Sequence, residues 1–208
     1  MGMGEPLHNI DAVLKACDIL TDEAGLDFSR RRVTVSTSGL VDAMQRFMQE
    51  SDCQLAVSLN ATTDVTRSKI MPVNDRWDLD ALMEAIRGLE LERRQRVTLE
   101  YVLLADVNDT LEDAERLVEL TRGVPCKVNI IPFNPHPDTP FETPSEERIE
   151  RFQQYLVDHE VSCFRRKTRG RDEMAACGQL GEPGNRAEPR HLHKRLEAIR
   201  ADRARAHS

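Results

Sequence analysis

The sequence predicts an α/β protein built on a parallel sheet, and three observations support this. Strand and helix patterns alternate regularly along most of the 208 residues. The strand segments are short apolar runs, which is typical of parallel strands covered on both faces. Charged residues make up 31% of the chain and aromatic residues only 4%, which favours a helix-rich α/β protein over an all-β one.

Five segments carry strand patterns and helical patterns fill most of the intervals between them. The predicted strands lie in RRVTVSTSG, CQLAVSLN, RVTLEYVLL, CKVNIIPF and VSCFRRK. The helices lie in NIDAVLKACDILTDE, LVDAMQRFMQE, LDALMEAIRGLEL, TLEDAERLVELTRG and SEERIERFQQYLVDHE, with a short one near 172–177. Residues 60–77 are polar and predict a long loop.

Several helix limits are also visible in the sequence. Thr110 is a predicted N-cap and Gly123 the stop of the same helix. Ser145 begins a capping box that is only partial, because Arg148 stands where Glu or Gln is usual.

Composition limits the classes of protein that the chain can belong to. No run approaches the eighteen apolar residues of a membrane span, and the first residues lack a signal-peptide pattern, so we expect a cytoplasmic protein without a membrane partner. The five cysteines are odd in number and widely spaced, which argues against a disulfide framework. No C-x-x-C pair occurs, so no local zinc or iron–sulfur motif is predicted.

Charge is distributed unevenly along the chain. The net charge is −7, but residues 163–208 carry 12 Lys or Arg against 6 Asp or Glu, while residues 1–162 carry 17 against 30. A polyanion would therefore be attracted to the C-terminal quarter and repelled by much of the rest.

Small polar side chains follow four of the predicted strands. They lie in the segments 36–39, 58–60, 108–109 and 134–135. Because ligands of parallel α/β folds bind at the carboxyl ends of the strands, these exits predict a site for a polar ligand that bears a sugar or an amino acid. The alternative is that these residues only begin helices.

A basic strip precedes a lone cysteine near the C-terminus. The strip consists of Arg165, Arg166, Lys167, Arg169 and Arg171, and Cys177 follows it. The strip predicts a surface that binds an anion, such as the phosphates of a nucleic acid, although charge that protects a solvated edge strand would give the same pattern. Cys177 could be a small helix residue packed beside two alanines, or a reactive thiol.

Seven stretches together resemble one family. GEPL near the start resembles the turn with which radical S-adenosylmethionine (SAM) enzymes hold the amino group of methionine. With RRVTVSTSG, AVSLNA, IMPVN, EYVLL, PCKVNIIPFNP and RKTRGRDEMAACGQL in that order, the sequence resembles the RlmN family from residue 1 to about 180. The resemblance implies a partial (β/α)6 radical-SAM barrel over 1–160, a strand and catalytic-cysteine segment over 161–180, and a basic tail over 181–208 that we expect to be flexible.

The resemblance also assigns roles to individual residues. Cys177 is similar to the cysteine that accepts a methyl group from SAM and passes it to RNA. The implied contacts to SAM are made by Gly4, Glu5, Ser36, Ser58, Leu59, Asn60 and Asn134. Many relatives have histidine at the position of Asn60.

The family methylates carbon 2 of adenosine in 23S rRNA and tRNA, which are the partners that the resemblance implies for a monomeric, cytoplasmic enzyme. Its members also use a [4Fe–4S] cluster whose C-x-x-x-C-x-x-C ligands this chain lacks. The chain is therefore expected to lack the first barrel strands and an N-terminal accessory domain, to bind no metal itself and to be inactive alone.

Three alternatives stay open at this point. The chain could be a SAM- or RNA-binding remnant without redox chemistry. It could be a fragment of the related Cfr-type enzymes, which methylate carbon 8. It could also be a metabolite-binding barrel enzyme unrelated to RNA.

Overall fold

Five parallel strands in chain order form the sheet of the computed structural model, which describes residues 4–93, 95–135, 139–166, 194, 197–202 and 205. The strands are β1 (Thr34–Thr37), β2 (Gln54–Ser58), β3 (Val97–Leu103), β4 (Cys126–Pro132) and β5 (Cys163–Arg165). The helices are α1 (Ile10–Thr21), α2 (Val41–Glu50), α3 (Asp64–Ile70), α4 (Leu79–Arg87), α5 (Leu111–Thr121) and α6 (Glu146–Asp158), with short 3-10 turns at Pro6–Asn9, Arg30–Arg32 and Pro72–Asp75. The predicted α/β class with parallel strands is confirmed.

The helices cover one face of this sheet. Right-handed crossovers between strands that follow one another in space place every connecting helix on the same side. One core joins the odd-numbered residues of β3 to the helices, for example through Tyr101, which stacks on Phe152 of α6 at 5.5 Å between ring centroids.

The opposite face is polar and only partly covered. In β3 the buried residues alternate with the half-buried Thr98, Glu100 and Val102. The register aligns Glu100 with Ser58 of β2 and with Asn129 of β4. The expectation that the strands are buried on both faces is therefore wrong for β3, and its second face presents polar groups toward the strand exits.

The helix limits follow the predicted caps. Thr110 accepts from the backbone N–H of Asp113, whose carboxylate accepts from the N–H of Thr110, so α5 begins with a reciprocal capping box. Ser145 caps α6 by accepting from the N–H of Arg148 at 3.3 Å. Gly123 follows the end of α5 with φ +72°, the left-handed conformation that glycine adopts at low cost.

The predicted loop over 60–77 is wrong, because this segment contains α3 and the 3-10 turn Pro72–Asp75. Thr63 caps α3 by accepting from the N–H of Thr66. The buried residue of this short helix is Arg67 rather than an apolar side chain. Because α3 buries an arginine instead of a row of apolar side chains, it lacks the apolar periodicity by which a helix is predicted from sequence.

The C-terminal segments are described only in part. The short helix predicted near 172–177 lies outside the described residues. Of the tail, residues 197–202 are helical, and Ile199 is buried beside Leu104 and Val107; flexibility of the rest of the tail stays a prediction. Within the described residues, no helix is both long and apolar enough to cross a membrane.

Candidate functional site at the strand exits

The N-terminal turn meets the exit of β1. The carboxylate of Glu5 accepts from the backbone N–H of Ser38 at 2.7 Å and from its hydroxyl at 2.8 Å, and its other oxygen accepts from the N–H of Leu7 at 3.1 Å. A carboxylate has about four lone-pair sites, so one stays available for a cationic group. Gly4 has φ +107°, and a Cβ there would meet nothing within 4 Å, so backbone conformation rather than space favours glycine.

Ser36 lies on the polar face of the sheet and donates to the carboxylate of Glu100 at 3.2 Å. Glu100 was not among the site residues predicted from the sequence. The signal that could have found it is an acidic residue inside the otherwise apolar strand VTLEYVLL, because a carboxylate at such a position needs a polar surrounding.

The predicted segment Ser58–Asn60 forms the exit of β2 and is held by its surroundings. Ser58 and Leu59 are buried, and Asn60 has φ +57°. The side chain of Asn60 accepts from the N–H of Val102 at 2.9 Å and lies 3.3 Å from the sulfur of Met71. This amide therefore braces the neighbouring strand. The backbone N–H of Asn60 donates to the carbonyl of Glu100 at 3.4 Å, so the exit of β2 is held by both its side chain and its backbone.

Arg67 was also missed by the sequence analysis. It is fully buried under the exits of β1 and β2. Burial lowers the pKa of its guanidinium to about 10, partly offset by the nearby carboxylate of Asp64, so the group is still charged at neutral pH.

Asn108 holds the exit of β3 from a buried position. Its side chain accepts from the N–H of Leu104 and donates to the carbonyls of Asn60 and Val102, each at 2.7 Å. The exits of β2 and β3 are therefore fixed to each other by the side-chain amides of both Asn108 and Asn60.

Further hydrogen bonds and ion pairs tie this edge to α5 and α6. The buried carboxylate of Asp113 accepts from the hydroxyl of Thr62 at 3.1 Å and pairs with Arg116 at 2.6 Å. Arg148 of α6 pairs with Asp106 at 2.6 Å and Asp109 at 3.1 Å, both in the loop between β3 and α5. The loops around the polar face are therefore anchored before any ligand binds.

The exits of β4 and β5 surround a cavity of about 670 Å³. Asn134 and Arg166 line it, together with Arg165. Arg165 is engaged by both carboxylate oxygens of Glu146, one of them at 2.8 Å. Glu146 therefore competes with any phosphate for the donors of Arg165, whereas Arg166 is exposed.

The remaining predicted residues, Lys167, Arg169, Arg171 and Cys177, lie outside the described residues. Burial raises the pKa of three other thiols, to about 11 for Cys17 and Cys126 and to about 12 for Cys163. These three cysteines are protonated at neutral pH and do not suit a role that needs a thiolate.

Comparisons with known proteins identify the family. No protein-family model matches the sequence. The chain is 55% identical over 180 residues to the dual-specificity RNA methyltransferase RlmN of Syntrophotalea carbinolica, covering 86% of this chain and 48% of that protein. It is 51% identical over 184 residues to RlmN 2 of Myxococcus xanthus, covering 88% and 49%. The chain belongs to the RlmN family.

The fold agrees with this assignment. A radical SAM methyltransferase from Sphaerobacter thermophilus superposes with a TM-score of 0.82 at 47% identity, covering 86% of this chain and 53% of that protein. The chain thus spans about half the length of the RlmN relatives that it matches, and it corresponds to their C-terminal part. The suspected partial radical-SAM barrel is confirmed at the level of the fold.

RlmN membership implies SAM and, in the full-length proteins, a [4Fe–4S] cluster. The described residues fit SAM, since Glu5 offers a carboxylate site for an ammonium group and the exits of β1 and β2 offer polar groups. They do not fit the cluster, because no group of three His, Cys, Asp or Glu among the described residues could hold a metal.

Proposed function

We propose that this chain forms the SAM-holding and methyl-accepting part of an RNA methyltransferase that modifies carbon 2 of adenosine in 23S rRNA and tRNA. The observation that carries the proposal is the contact between Glu5 and Ser38, which joins the SAM-type turn to the strand exits. The high identity to proteins named dual-specificity RNA methyltransferases supports the substrate class. In the cell the protein would act as a cytoplasmic monomer.

The described residues would hold and orient the methyl donor. Glu5 accepts from the ammonium group of the methionine moiety, with its carboxylate fixed by Ser38. Ser36, Ser58, Leu59, Asn60 and Asn134 would complete the contacts from successive strand ends. SAM supplies an activated methyl group when it is bound.

Cys177 would accept that methyl group. Carbon 2 of adenine is not nucleophilic, so it cannot accept a methyl group directly from SAM. A thiolate is nucleophilic, and a cysteine can therefore be methylated first. The new bond would form between the cysteine sulfur and the methyl carbon while the bond from that carbon to the sulfonium sulfur of SAM breaks. S-adenosylhomocysteine would leave, and the proton of the thiol would go to solvent. Since burial raises the pKa of Cys17, Cys126 and Cys163, those three residues are poorer candidates for the acceptor.

The RNA would lie along the basic strip and the cavity beside Asn134. Arg166 is exposed at the rim of this cavity and continues into the basic residues before Cys177. Phosphate contacts there would hold the RNA in register with the acceptor thiol.

Methyl loading of the protein tests this proposal. The intact protein, purified anaerobically, is incubated with SAM labelled in its methyl group, and labelled peptides are mapped by mass spectrometry. We expect the label on Cys177 in the wild type, none in Cys177→Ala and undiminished label in the control Cys126→Ala. Label retained in Cys177→Ala would move the role to another residue. Chromatography of the nucleosides from methylated RNA, against 2-methyladenosine and 8-methyladenosine standards, then separates methylation at carbon 2 from methylation at carbon 8.

A further inference from the structure

Arg67 of α3 uses its whole hydrogen-bonding capacity inside the protein. The side chain is 0% exposed. Its five N–H groups are matched by five acceptors. These acceptors are the carbonyl of Leu59 at 3.0 Å, the side-chain oxygen of Asn74 at 2.9 Å, and the carbonyls of Trp77 at 3.4 Å, Ser38 at 3.0 Å and Ser58 at 3.2 Å.

This arrangement excludes direct ligand binding by Arg67, because no N–H group is left for a carboxylate or a phosphate. Any influence of Arg67 on a ligand must pass through the groups that it holds. Three of these are backbone carbonyls at strand exits, those of Ser38, Ser58 and Leu59.

The same cation links two parts of the site that are far apart in sequence. Ser38 donates twice to the carboxylate of Glu5, through its backbone N–H and its hydroxyl. Ser58 and Leu59 form the exit of β2. The guanidinium therefore sets the distance between the Glu5 turn and the β2 exit.

The surroundings of Arg67 show that this position is built for a guanidinium. A Cβ on Gly39 would lie 3.3 Å from one of its terminal nitrogens, so the turn after β1 leaves room for Arg67 by lacking a side chain. Asn74 holds the guanidinium and is itself held by the carboxylate of Asp64 at 3.0 Å. Burying a charged side chain is costly unless all its donors are paired, and here they are.

We propose that Arg67 is a positioning residue for the SAM site. It fixes the exits of β1 and β2 so that Glu5 and the Ser58–Asn60 segment contact the same ligand. This inference rests on the proposed function, since it presumes that SAM binds at these exits. It goes further by assigning the geometry of the site to a residue that contacts no ligand.

The variant Arg67→Lys tests the role of the planar fork. Lysine keeps the positive charge, but all three of its N–H groups extend from a single nitrogen. They cannot reach acceptors on both strand exits. In the intact, anaerobically purified protein, we expect the dissociation constant for SAM, measured by equilibrium dialysis, to rise roughly tenfold. The Michaelis constant for RNA should stay within about twofold, because the RNA surface lies at other strands.

A matched control separates positioning from general destabilisation. Leu117→Ala removes a fully buried core side chain of α5 and destabilises the protein by leaving a cavity, without touching the exits of β1 and β2. Its affinity for SAM, measured below the unfolding transition, should equal that of the wild type. An equal loss of affinity in Leu117→Ala and Arg67→Lys would overturn the proposal.

Two further measurements keep the proposal testable if Arg67→Lys fails to fold. Asn74→Ala removes one acceptor of the fork and should raise the dissociation constant for SAM about threefold. In a double-mutant cycle, Ser38→Ala should cost less affinity in the Asn74→Ala background than in the wild type, because both changes act on one network.

The outcomes distinguish failure of the positioning role of Arg67 from failure of the proposed function. Unchanged SAM affinity in Arg67→Lys and Asn74→Ala, with a wild type that binds SAM, refutes the positioning role and leaves the proposed function standing. A folded wild type that binds no SAM refutes the proposed function, and the inference about Arg67 falls with it.

Discussion

The two halves of the sheet edge differ in how firmly their loops are held. The exits of β1–β3, which we call the locked edge (residues 36–39, 58–62 and 104–110), are joined by the buried side chains of Arg67, Asn108 and Asp113. The exits of β4 and β5, the open edge (residues 132–135 and 165–166), surround a cavity of about 670 Å³. The difference indicates a preorganised site for a small ligand beside an accessible surface for a large one.

The free energy needed to order loops on binding explains why the two edges differ. A small cofactor gains affinity when its contacts are fixed in advance, because no loop has to be ordered on binding. RNA binds mainly through its phosphates, and exposed arginines can follow them without a rigid pocket. Mutations should therefore cost stability at the locked edge and change RNA affinity at the open one.

Asn108→Ala at the locked edge should have the largest effect. It removes three buried hydrogen bonds of 2.7 Å and leaves the N–H of Leu104 and the carbonyl of Asn60 without this partner. We expect a loss of about 3 kcal/mol in the free energy of unfolding, measured by urea denaturation. Asn134→Ala at the open edge is the matched control, with an expected loss below about 0.5 kcal/mol. Equal losses would erase the distinction between the edges.

Gly39→Ala should have the next largest effect, about 2 kcal/mol. Gly39 has φ +104°, and a Cβ there would lie 3.1 Å from Leu82 and 3.3 Å from the guanidinium of Arg67. Gly123→Ala separates the two causes, since Gly123 also has a positive φ, +72°, but a Cβ there would meet nothing within 4 Å. Thermal unfolding of both variants should show the larger shift for Gly39→Ala, and equal shifts would mean that backbone strain alone determines the cost.

The sequence predicts the strands and the helix caps better than the long-range contacts that hold the locked edge. β3 and β4 are long strands whose alternate residues pack into the core, and Thr110 and Ser145 are side chains whose capping role is local. Each of these features depends on a few neighbouring residues, which is the range that sequence patterns report well.

The locked edge depends on contacts between residues far apart in the chain, and there the patterns fail. Arg67 reverses the usual rule by placing a charged side chain at the buried position of α3, so residues 60–77 have the composition of a loop. Glu100 looks like an interruption of β3 until the register places it on the polar face of the sheet, where Ser36 donates to it. Both residues become interpretable only once the strands are paired.

Two thiols at the first residues of β4 and β5 give a pH test with an effect of about 1 kcal/mol each at pH 10. Burial raises the pKa of Cys126 from 9.0 to about 11 and that of Cys163 to about 12. Between pH 9 and these values the unfolded chain loses the thiol protons and the folded chain keeps them. Stability from this source is therefore complete below pH 9 and declines as the pH rises toward 11–12.

The double variant Cys126→Ala with Cys163→Ala isolates this contribution from other groups that titrate at high pH. Urea denaturation between pH 7 and 10.5 should show a steeper decline for the wild type than for the variant. Identical slopes would show that these thiols are more accessible to water than their burial indicates.

The open edge should show the smallest effects on stability and the clearest effects on RNA. Arg166→Ala removes an exposed cation, so the free energy of unfolding should change by less than about 0.5 kcal/mol, while the slope of log affinity against log salt should fall by about 1. Arg165→Ala should change this slope less, because Glu146 already engages the guanidinium of Arg165.

Glu146→Gln provides the decisive control. It releases Arg165 at a cost below about 1 kcal/mol in the free energy of unfolding, and RNA affinity at low salt should rise if the open edge binds phosphate. If RNA affinity stays the same in Arg166→Ala and Glu146→Gln, this edge does not bind phosphate. The result would favour the alternative that the arginines only protect an edge strand from pairing with other chains.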